Sequence, residues 1–272
     1  MNKNKIPDPV EHLEIVKSKL QNKEPLTFIR FSDGETEILN NRYLEIIPGG
    51  KIVCKGKESK NKFPEFDSKK FDPAIHQNIR KDLLNAAKFK AYNFFKGIQT
   101  GDENDSQKAK KMMIDFNNGF DEFLTFTDLF LNSNYKKYLK EVVPLFQEFD
   151  NITVVANYRA IPTGILSEAV HIKVQDNFFA NYDEVLDKTL SQLKDIETGS
   201  LVLCSASSLS NILGHKLFLE RKDITFLDIG TSLNHLLTLD HKIRGYLKEG
   251  HASIFRKVLR KIFKKSNQQI KW

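Results

Sequence analysis

Cysteine is scarce in this chain. Its 272 residues hold two, Cys54 and Cys204, far apart and each inside an apolar run. That excludes a disulfide framework, and with no CxxC or Cys/His spacing it excludes the usual zinc sites; two buried thiols suit a reducing compartment. Long hydrophobic runs are missing as well. No stretch reaches the roughly 18 apolar residues that read as a membrane span, and the N-terminal MNKNKIPDPV has no apolar signal region. A cytoplasmic protein is expected. The histidines form no H-E-x-x-H or H-x-x-x-H arrangement; His235 alone lies close in sequence to another candidate, Asp228. No G-x-x-x-x-G-K-[ST] segment is present, which argues against a P-loop enzyme. Internal repeats and linkers are absent too, so one α/β domain over 1–249 and a tail over 250–272 are expected.

The charge is unevenly placed. His241 to Trp272 carries ten Lys/Arg and one Glu, a net of +9, so the rest holds 32 basic against 34 acidic residues, a net of −2. A near-neutral body argues against a nucleic-acid binder, whose basic residues should cover a face of the fold.

What is present is an alternation of strand and helix signals. Val10, Leu13, Val16 and Leu20 recur at helical spacing, and Leu26 to Phe31 reads as a first buried strand. Ser32-Asp33-Gly34-Glu35 follows directly, and Thr36 to Tyr43 looks helical. A short strand at Lys51–Cys54 precedes a long polar stretch, Lys55 to Asp72, which reads as a mobile surface loop. Ile75, Ile79, Leu83 and Leu84 mark a helix, with a strand near Ala91 to Phe95. The charged run Thr100 to Lys111 leads into a helix through Phe116, and a helix interrupted by Pro144 covers Tyr135 to Phe149. Strands are expected at Ile152–Ala156, Val170–Val174, Ser200–Cys204 and Ile224–Ile229. Helices are expected at Tyr182–Leu193, at Ser208–Glu220 and from Leu233 onward. Such alternation implies a mostly parallel, Rossmann-like sheet with helices on both faces.

Asp33 and Glu35 flank Gly34 at the carboxyl end of the first strand, where open α/β sheets place ligands. Two nearby carboxylates suit a hard divalent cation, Mn²⁺ or Mg²⁺, bridging to substrate phosphates. Gly34 would allow close backbone approach or a positive φ, and Arg30 could clamp phosphate oxygens. The same triplet could equally be a helix start, with Asp33 as the cap and Glu35 favouring the N-terminal dipole.

The stretch Phe28-Ile29-Arg30-Phe31-Ser32-Asp33-Gly34-Glu35 resembles the "RFGDGE" segment of the bacterial GT-D fold glycosyltransferases, a group first described as a domain of unknown function; Ser32 stands where that family usually has Gly. Ser200 to Leu217 is similar to the family's strand, small-residue turn and helix, and Phe226-Leu227-Asp228-Ile229-Gly230 resembles its "DIG" strand end. After Gly230 the likeness fades into Thr231-Ser232-Leu233-Asn234-His235. The resemblance, over roughly residues 26 to 235, implies a GT-D type fold. It also implies sugar transfer from a nucleoside-diphosphate sugar, UDP favoured, with Asp33 and Glu35 near the cation or diphosphate.

Further candidates sit at other strand ends. Ser205, Ser207 and Ser208 occupy a strand-to-helix turn where hydroxyls and N–H groups could meet phosphate, or simply cap the helix. Asp228 could hold a ribose, an acceptor hydroxyl or a metal, or act as the base. Arg159 could offset diphosphate charge, and Tyr158 could stack on a base or sugar. In the tail, Ile254, Phe255, Val258, Leu259, Ile262 and Phe263 form one helical stripe among six Lys/Arg. That basic amphipathic helix over 254–265 would suit the inner face of a membrane, or would pack on the body or on a second subunit; the acceptor is expected to be a glycan, glycolipid, glycoprotein or lipid-linked sugar. Two other functions remain open: a metal-dependent phosphoryl or nucleotidyl transferase using the same carboxylates, and a non-enzymatic membrane- or RNA-binding protein using the tail.

Overall fold

The computed structural model describes residues 9–47, 51–54, 57–62, 68–101 and 103–239. The tail helix expected over 254–265 lies outside the described residues.

The centre is a seven-stranded sheet in the order β7-β6-β1-β11-β10-β8-β9, and every pairing in it is parallel. Its strands are β1 (Thr27–Arg30), β6 (Phe94–Ile98), β7 (Leu124–Phe126), β8 (Ile152–Asn157), β9 (Val170–Val174), β10 (Leu201–Ser205) and β11 (Thr225–Asp228). Alternation along the strands feeds two cores. Ile29, Phe94, Val155, Val202, Cys204 and Phe226 pack on one face; Phe28, Phe95, Val154, Leu203 and Leu227 pack on the other. The first face is covered by α2 (Asp33–Leu39), α3 (Gln77–Lys88), α4 (Asn104–Phe116), α6 (Tyr182–Lys194) and α7 (Ser208–Glu220). The second is covered by α1 (Pro9–Gln21) and a helical stretch from Asn132 to Glu148 that includes the single turn α5 (Tyr135–Lys137). Each fully buried Leu or Phe contributes about 1.5–3 kcal/mol.

α7 sits close on the sheet. A Cβ at Gly214 would come 2.6 Å from the Ile29 side chain and 2.9 Å from the Phe226 ring, so glycine lets the helix ride close to β1 and β11. This closeness brings the start of α7 beside the end of β1.

Several expectations are corrected. Lys55 to Asp72 is not simply a loop: β4 (Lys57–Lys62) and β5 (Lys70–Phe71) lie in it. They complete a second, antiparallel sheet in the order β4-β3-β2-β5 with β2 (Leu44–Ile47) and β3 (Lys51–Cys54). Its lysine-rich composition hid the strands, because backbone pairing needs no apolar side chain. β7 has three residues at a sheet edge, too few to show a period. The interrupted helix around Pro144 is a π turn (Tyr138–Val142) followed by a 3₁₀ turn (Val143–Glu148); Pro144 has no N–H to continue an α ladder. No helix starts at Leu233. The carbonyls of Leu236 and Leu237 accept instead from Thr163 N–H at 2.8 Å and Ile161 N–H at 2.9 Å, so residues 230–238 fold into turns. Among the described residues no helix is long and apolar enough to cross a membrane. Cys54 and Cys204 are both unpaired in any disulfide; burial pushes the Cys204 thiol far up.

Candidate active site at the carboxyl edge of the parallel sheet

β1, β11 and β10 are neighbours, and their carboxyl ends bring three sequence segments together. The first begins at Arg30. Its Nη2 donates to Asp228 Oδ1 at 3.1 Å and its Nη1 to the Thr127 carbonyl at 3.4 Å. Gly230 N–H donates to the same Asp228 oxygen at 3.0 Å. The pair is sealed, with side chains 14% and 5% exposed. Gly230 has φ +46°, and a Cβ there would lie 1.8 Å from Arg30 Nη2. Glycine is therefore required both by the left-handed backbone and by the guanidinium filling its place. Burial pushes the Asp228 carboxyl up against the pull of Arg30, and Glu35 adds to the rise. The phosphate clamp expected of Arg30 is thus already occupied by a carboxylate of its own chain.

The second segment is the start of α2. The helix begins at Asp33, three residues earlier than the sequence pattern suggested, and its N-cap is Ser32 instead of Asp33. Ser32 N–H and Oγ–H both donate to Glu35 Oε2, at 3.1 and 2.6 Å, which is the reach-back half of a capping box. Thr36 Oγ1 closes the turn on the Ser32 carbonyl at 2.9 Å and accepts from Gln99 at 3.1 Å. Glu35 is consequently buried with one oxygen committed to the cap. Asp33 faces outward. The recess around its carboxyl and the neighbouring carboxylates of Glu35, Glu103 and Glu37 raise its pKa. Gly34 takes no positive φ, and a Cβ there would meet only Leu44 at 3.7 Å and Lys69 Nζ at 3.9 Å.

The third segment is the turn from β10 into α7. Ser207, its N-cap, holds φ +55° and ψ −142°, a conformation that is costly for a non-glycine residue. Ser208 is fully buried and its hydroxyl has no hydrogen-bond partner among the described residues, so it faces the interior. Ser205 and Ser207 line an open cleft with Lys69, Asn157, Asp176 and Asn177. Lys69 Nζ donates to Ser207 Oγ. Asp33 and Glu35 lie outside that lining; Lys69, close to both Gly34 and Ser207, connects the two places.

Arg159 ends up at the far side of the cleft in a pairing of its own. It is bound to Asp176 through both terminal nitrogens, and its guanidinium lies over the Tyr158 ring at 4.6 Å. Asn157 Nδ2 donates to Asp176 at 2.7 Å, which locks the arrangement. The structure therefore groups Arg30, Ser32, Asp33, Gly34, Glu35 and Asp228, places Ser205 and Ser207 beside them across Lys69, and sets Arg159 apart. Sequence reasoning missed Lys69, Asp176 and Asn211, whose side chain donates to the Arg30 carbonyl at 2.7 Å and ties α7 to the end of β1. None carried a local signal: Lys69 is one lysine among many in a polar stretch.

No family model and no curated protein matches the sequence. Solved structures do resemble it. A structure of domain of unknown function 1792 aligns with a TM-score of 0.53 at 16% identity, covering 89% of this chain and 85% of that one. A structure described as a new glycosyltransferase (DUF1792) from Streptococcus sanguinis aligns at 0.52 and 13% identity, covering 89% and 88%. A third, described as showing that this highly conserved domain has a distinct glycosyltransferase fold, aligns at 0.52 and 16%, covering 89% and 85%. This chain has that fold, the GT-D type, as the strand–Ser–Asp–Gly–Glu resemblance implied.

Proposed function

We propose that this protein is a glycosyltransferase that takes a sugar from a nucleoside-diphosphate donor. The observation that carries the reading is that an outward-facing Asp33 at the carboxyl end of β1 and the Ser205–Ser207 turn at that of β10 share one sheet edge, with only β11 between the two strands. The shared fold with structures described as glycosyltransferases supports it.

The donor set fits Mn²⁺ or Mg²⁺. Asp33 offers an outward-facing carboxylate whose charge is disfavoured first by the recess around it and then by Glu35, Glu103 and Glu37, a cost that a cation would relieve. Glu35 has a second oxygen beyond the one given to Ser32. Among the described residues no three His, Cys, Asp or Glu side chains converge to hold a metal by themselves, which fits a cation completed by substrate phosphates. When bound, that cation would neutralise charge on the departing nucleoside diphosphate. Ser205 and Ser207 would donate hydroxyls to the phosphates. Asp228 acts through Arg30: the buried pair holds the ends of β1 and β11 in register and is a positioning element.

The test is calorimetric binding of UDP, GDP, CDP and ADP with and without Mn²⁺, followed by transfer assays. Asp33→Asn is expected to lower transfer about a hundredfold or more, in line with the loss of one pre-organised electrostatic contact, with an unchanged circular dichroism spectrum. Glu35→Gln should do the same with little change in stability, because the glutamine oxygen can still accept from Ser32 N–H in the capping box. Full activity in both variants would sink the assignment.

A further inference from the structure

Among the described residues, two cations of the carboxyl edge, Arg30 and Arg159, are already neutralised. Arg30 is paired with buried Asp228 at 3.1 Å. Arg159 is held by Asp176 and stacked on Tyr158. Lys69 differs: among the described residues its ammonium has no carboxylate partner, and its bond is to the Ser207 hydroxyl. It lines the cleft with Ser205 and Ser207, and a Cβ on Gly34 would lie 3.9 Å from its Nζ. The charge is therefore suspended between the Asp33-Gly34-Glu35 turn and the Ser205–Ser207 turn, two segments that the fold brings to one edge.

The backbone that carries Lys69 is fixed. Its carbonyl accepts from Ile46 N–H at 2.9 Å. The next residue, Lys70, donates its N–H to Asn177 Oδ1 at 2.8 Å, and Phe71 is buried against His76 and Phe179. A held backbone and a flexible four-carbon stem deliver a compact point charge with three donors, the form of cation that follows a phosphate group as it moves. A hydroxyl is a weak partner for an ammonium, and an anionic oxygen would compete for it with ease.

We propose that Lys69 is the side chain that binds the diphosphate of the donor, and that the small antiparallel sheet exists at this position to supply it. This rests on the glycosyltransferase reading for the identity of the ligand, but the anion site itself can be tested apart from it. The cation role that the sequence pattern suggested for Arg30 and Arg159 passes to a residue from an inserted sheet.

The experiment uses the full chain and titrates UDP and inorganic pyrophosphate, each with Mn²⁺, into wild type, Lys69→Met, Lys69→Arg and Lys70→Met. Methionine keeps the length of the stem, and thermal melts of each variant check the fold. Lys69→Met is expected to weaken both ligands tenfold or more. Lys69→Arg should recover most of that loss, and Lys70→Met should match wild type. If wild type binds pyrophosphate but no nucleotide, the donor assignment fails, while loss of pyrophosphate binding in Lys69→Met still upholds the anion site. Wild-type affinity for both ligands in folded Lys69→Met overturns the proposal, as does a wild type that binds neither ligand.

Discussion

The seam between β1 and β11 and the cleft beside β10 lie next to each other on one sheet edge, yet they handle charge in opposite ways. At the seam, Arg30 and Asp228 are sealed together, and glycine at 230 makes room for the guanidinium. In the cleft, Lys69 is half-buried with a serine hydroxyl for company, and outside its lining Asp33 faces outward from a recess among like charges. Desolvation explains the contrast. A buried ion must find its counter-ion within the chain, because an unpaired one is too costly. A charge at a cleft mouth can be left without one, since water screens it until a ligand arrives. A charged group near a strand end is therefore a weak functional signal until its partner is known.

The contrast can be broken most forcefully at the seam. Arg30→Met leaves Asp228 buried without its counter-ion and is expected to cost about 3–5 kcal/mol in urea denaturation. Adding Asp228→Leu should recover a large part of that loss, whereas Lys69→Met should change stability by less than about 0.5 kcal/mol, as an open site away from buried features would. Equal costs at Arg30 and Lys69 would erase the distinction.

Acid probes the dryness of the interior. His12 and His215 are buried, and desolvation lowers each from 6.5 to about 4. Between those values the unfolded chain binds a proton that the native protein refuses. Their contribution is present above pH 6.5 and is lost as pH falls toward 4, on the order of 3 kcal/mol from each. Thermal melts from pH 7 to pH 4 should show a steep fall in Tm, flattened in a His12→Leu, His215→Leu double variant. Melts that do not respond to pH over this range would contradict sealed histidines. The smallest effect belongs to the rim, where Arg159→Ala removes a solvent-exposed pair. It should cost no more than about 1 kcal/mol by urea denaturation, and a loss as large as that of Arg30→Met would mean that the rim pair is structural.

Much of the architecture was legible along the chain. Val170–Val174 falls where the apolar pattern puts it because its buried side chains alternate, and Ser208–Glu220 does so because its long apolar stretch forms a helix buried on nearly every side. The pattern failed where local and tertiary demands differ. β4 is built of lysines and polar residues and pairs through its backbone, which hydropathy does not register. Leu233 and Leu237 are buried at helical spacing, but backbone amides of residues 161 and 163 take the carbonyls that a helix would need.

The site divides along the same line. Residues 30 to 35 were singled out by their resemblance to a family segment, since the strand end, the glycine and both carboxylates are contiguous in sequence. That Ser32 caps the helix and draws in one Glu35 oxygen, leaving Asp33 outward, was decided by the backbone of the first turn. The pairing of Arg30 with Asp228 spans 198 residues, and the meeting of Lys69 with Ser207 spans 138. Local periodicity specifies which face of an element is buried. Strand order and the crossing of an inserted sheet specify which distant charges meet, and these depend on the packing of the whole chain.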